Sequence, residues 1–111
     1  MDDLQELLCR RYGAEFMPSD ETYKVGISES ALRGGQPLNG LRHPPESGTT
    51  GWFIWAGELS SEPGFFKPLH LHHLREECPE ALPYLALPPG WRFLVAGDHE
   101  DVWFDDNLLD I

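Results

Sequence analysis

Gly51-Trp52-Phe53-Ile54-Trp55-Ala56-Gly57 is a run of five apolar residues closed at each end by glycine. Five residues are too few for a free-standing helix, and Trp, Phe and Ile suit a pleated surface, so the run predicts a strand over 51–57. Period-two alternation sends Trp52, Ile54 and Ala56 to one face and Phe53 and Trp55 to the other. A strand that is apolar on both faces belongs in the middle of a sheet, or else leaves one aromatic face for a partner.

On the C-terminal side, Trp91-Arg92-Phe93-Leu94-Val95-Ala96 alternates with Trp91, Phe93 and Val95 inward. Gly97 to Glu100 link it to a strand near 101–105, which makes the pair a hairpin. On the N-terminal side, Tyr23, Val25 and Ile27 alternate against Lys24 and Gly26, predicting a strand near 22–28. Leu4, Leu7, Leu8 and Tyr12 recur at helical spacing, with Asp2 and Asp3 ahead, Arg10 and Arg11 in the last turn and Gly13 beyond, so residues 1–14 hold a helix. His70 to Glu77 suits a short helix, and Pro79 opens another that Pro88-Pro89-Gly90 ends. Glu58 to Gly64 reads as a turn, followed by a small apolar cluster of Phe65, Phe66 and Leu69. Gly34-Gly35, Pro37, Asn39-Gly40, Pro44-Pro45 and Ser47-Gly48 crowd residues 34–50 with breakers, which predicts a long loop. The expected fold is one α+β domain over residues 1–111: a mainly antiparallel sheet with the N-terminal helix and the short helices near 71–87 packed on it.

Composition narrows the function classes. With 19 acidic residues against 8 Lys plus Arg, the formal charge is −11. Nucleic-acid phosphates and anionic lipids demand a basic face, so neither is an expected partner, and a cationic protein is. The acidic start Met1-Asp2-Asp3 lacks the basic and apolar regions of a signal peptide, and no apolar run approaches the roughly 20 residues that span a bilayer. Two cysteines, Cys9 and Cys78, read as thiols of a reducing compartment, and the expected location is the cytoplasm.

Candidate chemistry is sparse. His70, His72 and His73 with Cys78 form the one metal-like cluster, but His70 and His73 share a helical face while His70 and His72 share a strand face, so the three do not converge together. Gly34, Gly35 and Gly40 share a stretch without the Gly-Lys-Ser/Thr of a phosphate cradle, and Pro37 removes a donor amide. Ser28, Ser30 and the cysteines carry no nucleophile signature around them. The expectation is a protein without catalytic residues, metal or cofactor. Acid is concentrated instead: six acidic residues and no Lys or Arg lie between Asp98 and Asp110, interleaved with Val102, Trp103 and Phe104. If Val102 and Phe104 face the core, Asp101, Trp103 and Asp105 share the other face, where a Trp ringed by carboxylates makes an anchor for a basic partner. Trp55, Glu58, Asp101, Trp103, Asp105 and Asp106 are the candidate contact residues; the alternative is that Trp103 packs under a helix and the acids face water.

The stretch from Ser47 to Glu58 contains a Gly-Trp-x-x-x-x-Gly-Glu core that resembles a bacterial family, immunity family 33 of polymorphic toxin systems. Tyr23–Ile27, Leu41-Arg42-His43-Pro44, Phe65–Leu69, Tyr84–Leu94 and Glu100–Asp105 are similar in order and spacing, so the resemblance covers roughly residues 22–111 and leaves the first helix outside. What it implies is a small α+β immunity protein that binds a co-encoded toxin and blocks it by occlusion, with no catalytic residues carried over. The reading from another class is a non-catalytic scaffold domain that uses the same aromatic face for a different protein or a small ligand.

Overall fold

The computed structural model describes residues 2–109. Helix α1 (Asp2–Tyr12) is followed by strand β1 (Lys24–Ser28), a single helical turn α2 (Glu29–Leu32), β2 (Leu38–Arg42), β3 (Thr49–Ala56) and β4 (Phe66–His70). A 3₁₀ turn (Leu71–His73), the short helix α3 (Leu74–Glu77) and a second 3₁₀ segment (Pro79–Tyr84) lead into β5 (Trp91–Ala96) and β6 (His99–Phe104), and a last 3₁₀ segment (Asp106–Leu109) follows. The six strands form one sheet in the order β4-β1-β3-β2-β5-β6, antiparallel except for the parallel pair β1/β3. The α+β fold with a mainly antiparallel sheet is as expected, and Trp52–Ala56 lies in an interior strand.

Two strands depart from the sequence reading. Residues 34–50 are not one long loop, because Leu38–Arg42 pairs with β3 on one side and β5 on the other. Gly40, which looks like a turn residue, sits mid-strand because a Cβ there would lie 2.1 Å from the Phe93 ring. Its missing side chain makes room for an aromatic ring of the neighbouring strand. Phe66–His70 is β4, paired with β1 only; its Pro68 is tolerated because the strand lies at the sheet edge.

One face of the sheet holds the core. Val25, Ile27, Leu38, Trp52, Ile54, Ala56 and Phe93 meet Leu8 and Cys9 of α1, Ala31 of α2, Leu74 of α3 and the run Ala81 to Leu87. Trp52 Nε1 donates to Leu85 O at 3.1 Å, and the Tyr84 ring stacks on Phe93 at 4.4 Å. Where the β1/β3 register shifts between Lys24 and Gly26, the buried Thr50 hydroxyl donates to Lys24 O and accepts from Trp52 N, standing in for ladder bonds. Gly51 adopts a φ of +88°, and a Cβ there would fall 2.0 Å from His43 O, so the first glycine of the Gly-Trp run is demanded by both backbone and space.

Among the described residues Arg42 is the one buried charged side chain, 3% exposed, and it meets neutral acceptors only. Its Nε donates to Thr50 O at 2.9 Å, Nη1 to Met17 O at 2.8 Å and Leu87 O at 2.7 Å, and Nη2 to Ser19 Oγ. The guanidinium carbon lies 5.9 Å from the Trp52 ring centroid. Burial pulls its pKa down to about 10, which leaves it charged at neutral pH.

Candidate functional site

The described helices supply the core on one face; the other face of the sheet is built largely of strand side chains, with the last 3₁₀ segment reaching His43 Nδ1 through Leu108 O at 3.0 Å. The register aligns Phe53, Leu41, Arg92 and Trp103 in one row across β3, β2, β5 and β6, with Trp55, Asn39, Leu94 and Asp101 in the next. Gly26 and Pro68 continue the first row across β1 and β4. This is a largely apolar strip with its charges at the β5–β6 end.

Trp103 is 38% exposed on this face and does not pack under a helix. The Arg92 guanidinium carbon lies 5.3 Å from the Trp103 ring centroid, and Arg92 Nη1 reaches Asp105 Oδ2 at 3.3 Å. Asp105 Oδ1 also accepts from Asn107 N at 3.1 Å, so this carboxylate fixes the arginine that supports Trp103. Asp101 is exposed and pairs with His99 Nε2 at 2.9 Å. Asp106 is exposed at the start of the last 3₁₀ segment, and Glu58 is exposed just past β3.

Trp55 departs from its expected role as a contact residue. It is 4% exposed and packs edge-on against Phe66 at 6.2 Å. The structure therefore gathers Asp101, Trp103, Asp105 and Asp106 at one end, while Trp55 and Glu58 belong to β3 and its exit, with β2 and β5 between. Phe104 shares the core side with Val102 but is 49% exposed, resting on Trp91 at the rim. Arg92, Leu41 and Leu94 complete the strip and are not among the sequence candidates. Arg92 and Leu94 were readable from alternation against Trp91, Phe93 and Val95, whereas Leu41 was hidden because β2 reads as a loop.

The titratable groups on the helix side serve the fold. The Glu100 carboxylate accepts from Tyr84 Oη at 2.6 Å and Tyr12 Oη at 2.5 Å and pairs with Arg11 at 3.2 Å, joining β6 to the 3₁₀ segment and α1. Burial pushes the Glu100 pKa up, but the two phenol hydrogen bonds and Arg11 outweigh it, and the net direction is down. Burial pushes the Cys78 thiol up to about 11, with Glu80 adding to it, and burial likewise raises Cys9. Both thiols are unpaired, 1% exposed and part of the core.

His70, His72 and His73 bring their rings within 4.1–6.1 Å of one another on the surface. Cys78 is buried, and His70 Nδ1 is engaged with Thr22 O at 2.8 Å. Among the described residues, no group of three His, Cys, Asp or Glu side chains is arranged to hold a metal. Among the same residues, no helix is long and apolar enough to cross a membrane.

No curated protein and no solved structure matches the chain. A family model does, the Imm33-like domain, over residues 4–105. The match begins at Leu4 and so takes in α1, which the sequence resemblance placed outside; the helix contributes Leu8 and Cys9 to the core and Tyr12 to Glu100. With nearly its whole length inside that match, and with the Gly-Trp run explained by one compact core, the chain belongs to the Imm33-like domain family.

Proposed function

We propose that this protein is an immunity protein that binds a cognate bacterial toxin and blocks it by stoichiometric occlusion, without catalysis and without a cofactor. Family membership supports the immunity theme, and the observation that carries the mechanism is the open sheet face with Trp103 exposed on it, held by Arg92 among carboxylates. Interfaces favour Trp as an anchor in a partly desolvated setting, and the surrounding charge speeds encounter more than it holds the complex. A charge of −11 suits a basic partner. If that toxin acts on nucleic acid, the carboxylates of this face stand where substrate phosphates would otherwise sit. The proposed location is the cytoplasm, where such a toxin is met before export.

The test is co-expression with each neighbouring gene product, scored by growth rescue and 1:1 co-purification. Trp103→Ala is expected to raise the dissociation rate about tenfold or more, as hot-spot truncations do. Asp101→Asn with Asp106→Asn is expected to lower the association rate and flatten its salt dependence. Asp105 is left intact because it holds Arg92. Absence of rescue and of a complex would refute immunity; a complex indifferent to all three substitutions would move the interface off this face.

A further inference from the structure

The sheet ends in β4 on one side and β6 on the other, and the two free edges differ in what their main chains offer. At β4, Leu71 N donates to Tyr23 O at 2.8 Å, next to the pairing of Val25 with Leu69. That phase turns the backbone groups of Lys67 and Leu69 to β1 and those of Phe66, Pro68 and His70 outward. Pro68 has no N–H to give, so this edge is blunted at its centre.

At β6, Asp105 N donates to Gly90 O at 2.7 Å, and Gly97 at φ +59° opens a two-residue turn between the paired Ala96 and His99. In the unbroken register this gives the ladder bonds to His99, Asp101 and Trp103. The N–H and C=O of Glu100, Val102 and Phe104 therefore point away from the sheet, and among the described residues no main-chain bond from outside the ladder reaches them. The strand has no proline, no lysine and no bulge to stop a further strand from pairing. Its acids are the one selective device, barring some strands and not others.

Charge decides between occupants. A second copy laid antiparallel about Val102 would set Asp98 against Asp106 at both ends, and like charges directly opposite destabilise a strand pair. The nearby cations are already spent, Arg92 on Asp105 and Arg11 on Glu100. A basic strand meets the reverse situation. On the open face its side chains would lie beside Asp101 and the exposed Trp103, which suit Lys or Arg. On the other face they would lie beside Val102 and Phe104, the latter 49% exposed, which suit apolar residues.

We infer that the free edge of β6 takes up an extended segment of a partner protein, one that alternates basic and apolar residues and adds a further strand to the sheet. As the docking mode of the toxin this rests on the immunity reading; as a property of the edge it is tested without a toxin.

The experiment is an NMR titration of the full chain with a capped heptapeptide alternating Lys and Val. Saturable 1:1 binding is expected, shifting the amides of Glu100, Val102 and Phe104 and slowing their exchange, at least about tenfold tighter than an alternating Glu–Val peptide. Only one edge of the peptide can pair, so N-methylation of one residue set, Lys or Val, is expected to abolish binding while methylation of the other spares it. Val102→Pro removes an outward donor and no ladder bond, and is expected to weaken binding about tenfold, the worth of one or two main-chain bonds, with the melting temperature as the check on folding. Equal binding of the acidic and basic peptides, indifference to both methylations, or a dimer of the free chain that Val102→Pro dissociates would each overturn the proposal. A toxin complex that forms and ignores Val102→Pro would overturn this docking mode and leave immunity standing. If no neighbouring gene product binds, immunity fails and the peptide result decides the edge alone.

Discussion

Replacing Arg42 by Met tests whether a buried cation without an acid partner holds this fold together. Methionine keeps most of the stem and removes the donors. Thr50 O and Leu87 O are then buried without partners, Met17 O is partly buried, and the Ser19 hydroxyl turns to water. Two fully buried orphan acceptors cost about 1–3 kcal/mol each. Against that stands relief of the desolvation of a charge, also several kcal/mol before its hydrogen bonds are counted. The bonds are short and the guanidinium also lies against Trp52, so the loss wins, by about 3 kcal/mol net. With a urea m-value of roughly 1–3 kcal/mol/M for a chain of this size, the midpoint falls by about 1–3 M. Arg42→Lys keeps the charge but has no planar fork to reach acceptors on three separate segments, and it is expected to be destabilised as well. The reasoning fails if the Met variant unfolds within about 0.3 M of the parent, since the carbonyls would then be satisfied without Arg42.

Other outcomes follow from the same geometry. Glu100→Gln is expected to cost about 1–3 kcal/mol at pH 7, from weaker bonds to Tyr12 and Tyr84 and loss of the Arg11 pair. Because the folded pKa of Glu100 is depressed, its contribution is fully present above the ordinary glutamate value of 4.5 and is lost as pH falls through the folded value; melting curves of parent and variant should therefore converge in acid. Gly40→Ala drives a methyl into the Phe93 ring and is expected to destabilise by about 1–3 kcal/mol, with Phe93→Leu in the same chain recovering part of that loss; a fully additive double variant would contradict the contact. Cys9 and Cys78, buried with raised pKa values, should react with a disulfide reagent only slowly in the native protein and promptly in denaturant. Fast native labelling of either would show that the core opens there.

The organisation of the interface face explains why single-residue reading succeeds at one end and fails at the other. Trp103 and Asp101 lie in an edge strand, where alternation against one neighbour is enough to decide which side chains face out. Trp55 lies in an interior strand, and its exposure depends on Phe66, a residue of β4 that the chain brings across β1. Alternation places Trp55 on the open face correctly and is silent on what covers it there.

The amino-acid order by itself determined the period-two runs at 51–57 and 91–96, the hairpin to β6, the N-terminal helix and the acidic aromatic end, because these are local patterns whose cause lies within a few residues. Tertiary structure alone decided that Leu38–Arg42 is a central strand, that Pro68 marks an edge and that Trp55 is covered. The physical reason is the same in each case. A glycine or proline declares a turn only when nothing else claims its missing side chain or missing N–H, and here the Phe93 ring fills the space at Gly40 while the sheet edge excuses the absent donor at Pro68, both facts about neighbours remote in the chain.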